Sequence, residues 1–506
     1  MTYGRNVKGL RRAISATVLL IGLGVVSGPP RSVAAEAGLD TIPTPPIFQN
    51  PFMAPNNFSE IHFNSFQTDT TSVSGPARAS GQAVQQGLLR PIPGIAGTIA
   101  FNSRGQILTV RVGPSHTTAG ENNLTLMLID PVTLQILAET DLPPNPRSGG
   151  VSFSGGGYFY VDNLDHVVTI TTNQQIRIYE VQSNQFKLVQ TYDLSPQISD
   201  TLVSVLPDSA GNLWFNTEQA NVGYVNPSSG TINVVNLRNV PGANPEETIS
   251  KSFATDENGG VYFLSDYALY RFQAGRDGAA QNTWRSAYDR GVREKPGQNQ
   301  QGSGTTPTLF NDFAGNRFVA IGDNADPFMH VNVYNRQTGA LVAQQAVFSA
   351  FRERNACENS LIAVNHSIIV ENNYGNSTPL STLGPLTTVP GVDRVDFDPT
   401  TGQSQVAWEN ATVAIPSVVS QLSTSDGLVY TYAKDAEGWY WAALSFQDGS
   451  LVANSRVPWS NVLGGVLANN FYSGIGIGPD GSAYVGVFGG VVVWRPEQSD
   501  SSGKAP

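Results

Sequence analysis

Short apolar segments alternate with polar turns along most of this chain, and one form of hairpin recurs. In each copy an apolar strand is followed by a turn, usually with glycine, and then by a strand rich in aromatic or β-branched residues. Eight copies occur: "IAFNSRGQILTVRV", "VSFSGGGYFYVDN", "SVLPDSAGNLWFNT", "SFATDENGGVYFLSD", "TLFNDFAGNRFVAIGD", "SLIAVNHSIIVENN", "QLSTSDGLVYTYAKD" and "GIGIGPDGSAYVGV". Successive turns are 48 to 61 residues apart, measured between Gly105, Gly157, Gly211, Gly259, Gly315, His366, Gly427 and Gly481. A step of about 50 residues predicts one four-stranded blade of a β-propeller per copy.

The pattern also predicts how the ring closes. Most copies carry a second hairpin with its own turn, as in "IDPVTLQ", "VNPSSGT" and "YNRQTGA", so seven copies hold four candidate strands. The eighth copy, at 474–496, holds three. The alternating segment "SEIHFNSFQTDTTSV" (59–73) is expected to supply the fourth, which removes an open sheet edge. We therefore predict an all-β chain with eight four-stranded blades closed by an N-terminal strand, with seven blades as the alternative.

The two ends of the chain do not share this pattern. Four cationic residues precede the apolar run "AISATVLLIGLGVVSG", and small residues then lead up to Ala35. This arrangement predicts a signal peptide over 1–35, cleaved after Ala35, and hence a secreted or periplasmic protein with no membrane span after cleavage. We expect residues 36–57 to form a Pro-rich, extended leader, 58–496 a single propeller domain, and 497–506 a disordered tail.

Charge and cysteine content narrow the possible functions. The chain has 29 basic and 40 acidic residues, and removing 1–35 takes away five basic residues, which leaves a net charge of −16. Such a surface repels phosphate backbones, so nucleic acid and anionic membranes are excluded as expected partners. Cys357 is the single cysteine, so the chain has no internal disulfide, and burial of the core must hold the fold together.

The D-x-x-G-x-x-aromatic form of the hairpin, as in Asp208–Trp214 and Asp256–Tyr262, supports a family resemblance. Over roughly residues 99–496 it resembles repeats of the gluconolactonase-like, strictosidine-synthase-like and NHL propellers, while eight blades are similar to the count in quinoprotein dehydrogenases. The resemblance implies a propeller. It also implies two alternative activities, a metal-assisted lactonase or hydrolase and a quinoprotein-like oxidoreductase. Fold-level similarity does not choose between them.

Polar residues follow the second strand of several hairpins, where the B–C turns of a propeller meet around the channel mouth. Carboxylate and amide oxygens suit a polyhydroxylated ligand or Ca²⁺, although Asp and Asn are also common turn residues. The predicted ligand-binding residues are Asp162, Asn216, Asp266, Asp323, Asn324, Glu371 and Asn372. Asp323, Asn324 and Glu371 are the candidates for Ca²⁺ or another divalent cation.

Three residues in the same loops are candidates for proton transfer. His166 and His330 each have an aspartate nearby in the sequence, and Glu371 follows an apolar strand. Farther along, the polar segment 276–301, ahead of "GSGTTP", predicts a flexible connection. No G-x-S-x-G, H-E-x-x-H, P-loop or EF-hand motif occurs, which lowers the expectation of the common hydrolase, metalloprotease and NTPase classes.

The function that these features favour is binding of a small polar molecule, or of a peptide or glycan segment, at an acidic, Asn/Asp-rich mouth. A monomer is expected. Whether the site also catalyses a reaction is left open by the sequence.

Overall fold

The computed structural model describes residues 40–77, 87–88, 94–114, 122–144, 153–458, 460 and 464–496. The predicted signal peptide and C-terminal tail lie outside these residues. Eight sheets follow one another along the chain, each built mainly of four strands joined by hairpins. This is the arrangement of an eight-bladed β-propeller, so the eight-blade prediction is confirmed. No helix in the described part of the chain is both long and apolar enough to cross a membrane.

Two short strands precede the blades, β1 (Thr70–Thr71) and β2 (Gly87–Leu88). Blades 1 and 2 contain β3 (Ile95–Phe101), β4 (Ile107–Pro114), β5 (Asn122–Ile129), β6 (Ile136–Asp141), β7 (Tyr160–Val161), β8 (Val167–Ile170), β9 (Gln175–Gln182) and β10 (Gln185–Asp193). Blades 3 and 4 contain β11 (Leu202–Pro207), β12 (Leu213–Thr217), β13 (Asn221–Val225), β14 (Ile232–Asn236), β15 (Ala254–Thr255), β16 (Val261–Leu264), β17 (Ala268–Ala274) and β18 (Ala280–Ala287). The first strand of each blade is the innermost.

Blades 5 and 6 contain β19 (Thr308–Asn311), β20 (Arg317–Gly322), β21 (His330–Asn335), β22 (Leu341–Ala346), β23 (Ile362–Val364), β24 (Ser367–Glu371), β25 (Val392–Phe397) and β26 (Ser404–Asn410). Blades 7 and 8 contain β27 (Gln421–Ser423), β28 (Leu428–Asp435), β29 (Gly438–Ser445), β30 (Leu451–Arg456), β31 (Ile475–Ile477), β32 (Ala483–Val487) and β33 (Gly490–Trp494). The described helices are short: a 3₁₀ turn at Leu237–Asn239, another at Pro379–Thr382, and α1 at Gly464–Leu467.

An N-terminal strand closes blade 8, but it is not the predicted one. The outer strand is β2, where Gly87 and Leu88 pair antiparallel with Val493 and Val492 of β33. Residues 59–73 were expected in this place, and that assignment is wrong. Within this segment, β1 pairs in parallel with β27, the innermost strand of blade 7.

Residues 58–71 instead fill the central channel, and we call them the channel plug. Every residue from 59 to 71 is buried. Plug carbonyls accept hydrogen bonds from the innermost strands of six blades, through the backbone N–H groups of Phe101, Val161, Thr255, Leu309, Ala363 and Leu422, at 2.7 to 3.2 Å. These bonds supply acceptors for backbone N–H groups on the channel-facing edges of the inner strands, which explains why a largely polar segment lies at the centre of the ring.

The leader that precedes the plug packs across the ends of several blades. The N–H of Ile42 donates to the carbonyl of Thr424 at 2.8 Å, and Nδ2 of Asn50 donates to the carbonyl of Pro207 at 2.9 Å. Both contacts lie at the A–B ends of the inner strands. The plug therefore enters the channel from the face that carries the A–B and C–D turns, which we call the turn face. The opposite face carries the B–C turns and the blade-to-blade connections, and we call it the mouth face.

The aspartate of the repeated hairpin motif caps its A–B turn. In blade 3, Oδ1 of Asp208 accepts from the N–H groups of Ala210 and Asn212, and Oδ2 accepts from Nε1 of Trp214 at 2.9 Å. Asp256 makes the same contacts in blade 4, with the hydroxyl of Tyr262 at 2.7 Å. One carboxylate thus fixes the turn and satisfies the polar atom of a buried ring.

Replacing this carboxylate is expected to destabilise the ring. Asp208→Ala removes these hydrogen bonds and leaves Nε1 of the fully buried Trp214 without an acceptor, so we expect the free energy of unfolding to fall by about 1–3 kcal/mol. Urea denaturation measures the loss. Asp398→Ala is the matched control, because Asp398 caps an exposed C–D turn, and a change of about 0.5 kcal/mol is expected there. Equal losses in the two variants would contradict the explanation.

Blade 2 is shifted relative to the sequence prediction. Its A–B turn is 162–166, between β7 and β8, and not the glycine cluster around Gly157. Oδ1 of Asp162 accepts from the N–H groups of Leu164 and His166 and so caps this turn. Gly155 and Gly156 have positive φ angles of 83° and 145° and bend the chain ahead of the inner strand. A glycine-rich bend resembled the turn of a hairpin, which explains the error.

Candidate functional site

A cavity of about 460 Å³ lies in the channel on the mouth face, and we call it the central cavity. The channel plug forms its floor through Ile61 and His62. Its walls come chiefly from the connections that lead into the inner strands of six blades. The lining residues there are Phe153, Ser154, Tyr158, Thr248, Ile249, Ser250, Lys251, Asn299, Gln300, Thr306, Glu358, Asn359, Ser360, Val419, Phe471 and Tyr472, with Glu218 and Gln219 from the B–C turn of blade 3. A volume of 300–1,000 Å³ is typical of small-molecule sites.

Four lining residues have a buried polar atom without a hydrogen-bond partner. These atoms are Nε2 of His62, Oγ of Ser250, Nε2 of Gln300 and Oε2 of Glu358. They comprise an amide N–H donor, an imidazole nitrogen, a hydroxyl and a carboxylate oxygen. Buried polar groups are nearly always satisfied, and leaving one unpaired costs about 1–3 kcal/mol. The residues that carry these atoms come from four different parts of the chain and line the same cavity.

A buried ion pair lies in the cavity wall. Nζ of Lys251 donates to Oε1 of Glu358 at 2.5 Å, and the exposed fractions of the two side chains are 6% and 0%. The N–H of Asn299 donates to the same carboxylate oxygen at 3.0 Å. The pair connects blade 4 to blade 6 across the mouth and leaves the wall without surplus positive charge at this point.

The floor holds a second polar cluster, formed by His62, Asp69 and Ser360. Nδ1 of His62 lies 2.9 Å from Oδ1 of Asp69, and Oγ of Ser360 lies 2.9 Å from the same nitrogen. The hydroxyl of Ser360 also donates to Oδ2 of Asp69. Burial alone would lower the pKa of His62, but the carboxylates of Asp69 and Glu60 raise it above its ordinary value. Burial raises the pKa of Glu60 to about 7.

The connection between blades 4 and 5 packs over the mouth, in contrast to the flexible segment predicted for it. The hydroxyl of Tyr472 donates to the carbonyl of Gly297 at 2.6 Å, and the N–H of Gly375 donates to the carbonyl of Pro296 at 2.8 Å. Lys295 is buried, and its Nζ donates to the carbonyl of Ala325 at 2.7 Å. Contacts to blades 5, 6 and 8 therefore hold this polar segment in place.

Two predicted site residues, Asp162 and His166, lie on the turn face and not at the mouth. They belong to the A–B turn of blade 2, where Oδ2 of Asp162 contacts Nδ1 of His166 at 3.0 Å. Their assignment to a B–C loop was wrong because the hairpin of blade 2 was misplaced by several residues. The structure does not bring them together with the other candidates.

Two other predicted residues directly support the cavity wall. Nδ2 of Asn216 donates to the carbonyl of Lys251 at 2.8 Å. Oε1 of Glu371 accepts from Nδ2 of Asn359 at 2.8 Å, and Oε2 accepts from Oγ of Ser420 at 2.9 Å. Burial raises the pKa of Glu371 to about 8. Both residues lie behind the lining and orient it.

The remaining candidates make hydrogen bonds within the loops of the mouth face. Asp266 accepts from the N–H of Thr248 and pairs with Arg290, Asp323 holds His330 at 2.8 Å, and the amides of Asn324 and Asn372 donate to backbone carbonyls. Among the described residues, no three His, Cys, Asp or Glu side chains come together as a group that could hold a metal ion. The three metal candidates bond to other protein groups instead: Asp323 to His330, Asn324 to the carbonyl of Arg290, and Glu371 to Asn359 and Ser420.

Sequence reasoning missed the residues that form the floor. His62 and Ser360 are 298 positions apart, and nothing in the pattern around His62 marks it as a channel residue. Lys251 and Glu358 are 107 positions apart and lie in connections that resemble ordinary loops. Their position was the one feature that could have identified them: Lys251 and Glu358 each precede the inner strand of a blade, and such connections lie on the mouth face.

Comparison with known proteins identifies the fold and no activity. No protein-family model matches the chain. An uncharacterized protein of Archaeoglobus fulgidus is 26% identical over 490 residues, which cover 88% of this chain and 90% of that protein. The quinohemoprotein alcohol dehydrogenase of Comamonas testosteroni superposes with a TM-score of 0.53 at 11% identity, over 89% of this chain and 83% of that one. BamB from Moraxella catarrhalis gives a TM-score of 0.36 at 14% identity, over 65% of this chain and 94% of that one. The similarity to the dehydrogenase extends over most of both chains and supports the propeller fold.

Proposed function

We propose that this propeller binds a small polar molecule in the central cavity. The observation that carries the proposal is a cavity of small-molecule size lined largely by polar side chains, four of which, those of His62, Ser250, Gln300 and Glu358, have a polar atom without a partner. A ligand that offers both hydrogen-bond donors and acceptors would match this lining. The cavity lies on the mouth face, where the sequence placed the site, but different residues line it.

The ligand is expected to be compact. The channel plug forms the floor and the connection between blades 4 and 5 packs over the mouth, so a long peptide or glycan could insert no more than its end. The setting that we propose is secreted or periplasmic, on the basis of the signal peptide predicted for 1–35, which lies outside the described residues. A monomer is expected.

The residues around the cavity do not fit an anionic quinone, the cofactor implied by the quinoprotein alternative. Lys251 is the only lysine or arginine among the described lining residues, and it is paired with Glu358. A quinone that carries several negative charges would therefore find no unpaired cation among the described lining residues.

Thermal denaturation with a panel of small molecules tests the proposal. The panel contains mono- and disaccharides, amino acids, hydroxy acids and polyols, each at millimolar concentration. We expect one class to raise the Tm saturably, since a ligand at 100 times its Kd stabilises the folded state by about 2.7 kcal/mol.

Gln300→Trp is the control for this experiment, because a bulky side chain at this lining position would fill part of the cavity. We expect the variant to fold and to lose the ligand-dependent shift. A ligand that stabilises the variant and the wild-type protein equally would show that binding takes place elsewhere. A panel without any response would contradict the proposed function.

A further inference from the structure

Part of the lining of the central cavity is aromatic. Phe153 and Tyr158 lie in the connection that leads into blade 2, and Phe471 and Tyr472 lie in the connection that leads into blade 8. All four residues are partly exposed where they line the cavity. Blades 8 and 2 flank blade 1 in the ring, so these rings come from one side of the mouth. They offer flat, apolar surface to a ligand.

The inner strand of blade 1 holds both aromatic connections in place. The hydroxyl of Thr98 donates to the carbonyl of Gly157 at 2.6 Å, and the hydroxyl of Ser473 donates to the carbonyl of Ala96 at 2.5 Å. Gly157 and Ser473 are each next in the chain to a lining tyrosine. The aromatic surface is therefore built on a rigid strand and does not depend on free loops.

Three neutral polar side chains in the lining are accessible and make no hydrogen bond to a described residue. They are the hydroxyl of Ser154, the hydroxyl of Tyr158 and the amide of Asn299. Burial and the nearby carboxylate of Glu358 raise the pKa of Tyr158 to about 12, so its hydroxyl keeps its proton and lies close to the ion pair in the wall. These three groups can bond directly to a molecule in the cavity.

The charge of the lining favours a neutral ligand. Lys251 is paired with Glu358, so a carboxylate or phosphate would have to break a buried ion pair to reach a cation. A sugar ring needs no charged partner. Its C–H groups form apolar faces that pack on aromatic rings, and its hydroxyl groups lie around the edge. Each hydroxyl both donates and accepts, as do the side chains of serine, tyrosine and asparagine.

We propose that the ligand of the central cavity is a neutral monosaccharide in its ring form, with a C–H face packed on the aromatic side and hydroxyl groups bonded to Ser154, Tyr158 and Asn299. This inference rests on the proposed function, because it names the class of the small polar molecule. The cavity of about 460 Å³, closed below by the channel plug, has the size of a site for such a compact molecule.

Isothermal titration calorimetry of the purified chain tests the class. The probes are D-glucose, D-galactose, D-mannose and D-xylose, and we expect at least one of them to bind saturably. The alditol of that sugar, such as sorbitol for glucose, has the same carbon chain and no ring. We expect it to bind about 10-fold more weakly, because an open chain has no flat C–H face to pack on the aromatic rings.

Two variants test the binding mode. Tyr158→Phe keeps the ring and removes only the hydroxyl, so we expect Kd to rise about 3- to 10-fold. Phe471→Leu keeps an apolar side chain and removes the flat ring, and a rise of about 10-fold is expected. Tyr267→Phe is the matched control, because Tyr267 is a partly exposed tyrosine of the mouth face that does not line the cavity and whose hydroxyl makes no hydrogen bond to a described residue. It should retain the wild-type Kd.

The outcomes separate this inference from the binding function. An unchanged Kd in either variant, or an alditol that binds as tightly as its sugar, would overturn the proposed binding mode. Silent sugars, together with another panel compound whose shift in Tm is lost in Gln300→Trp, would overturn the sugar and leave the binding function in place. A panel without any response would overturn both. Circular dichroism of each variant establishes that a change in Kd does not come from unfolding.

Discussion

A chain that begins at Gly75 instead of Glu36 should fail to form a stable propeller. It retains β2, the strand that closes blade 8, but it lacks the channel plug. Six inner strands would then lose a backbone hydrogen bond to the plug, each worth about 1 kcal/mol net, and the apolar surface that packs against Phe63 and Phe66 would open to water. The sum is comparable with the whole stability of a typical domain, roughly 5–15 kcal/mol. Size-exclusion chromatography and thermal denaturation should show an aggregated protein or a greatly lowered Tm.

The control is a chain that begins at Asn56, which keeps the plug and β2 and loses only the leader. We expect it to fold with a moderately lowered Tm, because the leader contributes isolated contacts such as that of Asn50 with Pro207. A wild-type Tm in the chain that begins at Gly75 would show that the plug does not hold the ring together. Comparable losses in the two truncated chains would place the stability in the leader instead.

Local features made the blades predictable. In Asp208–Trp214 the spacing of aspartate, glycine and aromatic residue directly determines the turn, because the carboxylate of Asp208 caps it and accepts a hydrogen bond from the ring of Trp214. The positive φ of 85° at Gly211 is a conformation that glycine adopts without strain. Every side-chain hydrogen bond of Asp208 stays within these seven residues, so the local sequence contains the information that fixes the turn.

The plug was not predictable in the same way. Its side chains alternate like those of a strand, but Phe63, Gln67 and Asp69 have positive φ angles of 73°, 59° and 51°, so the backbone turns within the channel. Its partners are backbone groups of six blades, which any sequence could supply. The alternation of residues 59–73 therefore led to the prediction of an outer strand in blade 8, whereas the segment lies in the channel.

The candidate site shows the same limit. Its residues meet only once the ring has closed, as with His62 from the plug and Ser360 from the connection ahead of blade 6. Loop position correctly indicated the mouth face for Asn216 and Glu371, which support the lining from behind. The choice by residue type was less successful. Asp and Asn in loops were selected as ligand-binding residues, whereas Lys251, Glu358 and His62 line the cavity, and the sequence does not reveal that these three are buried.

Breaking the ion pair in the cavity wall should be one of the most destabilising single changes in the chain. Lys251→Met leaves the carboxylate of Glu358, whose side chain is fully buried, without its cation, and Oε2 of the same group already lacks a partner. Removing one partner of a buried pair costs about 3–5 kcal/mol. We expect the free energy of unfolding, measured by urea denaturation at pH 7, to fall by that amount.

The double variant Lys251→Met/Glu358→Gln distinguishes lost charge pairing from lost packing. The neutral amide of glutamine has nearly the shape of the carboxylate and can still accept from the N–H of Asn299, whereas no charge is left buried. We expect the double variant to recover most of the stability that Lys251→Met loses, because a buried pair replaced as a unit is often close to neutral. It should still bind ligand more weakly than wild type, since both substituted side chains line the cavity. If the double variant is as unstable as the sum of the two single variants, the two residues act independently and the pair does not hold blades 4 and 6 together.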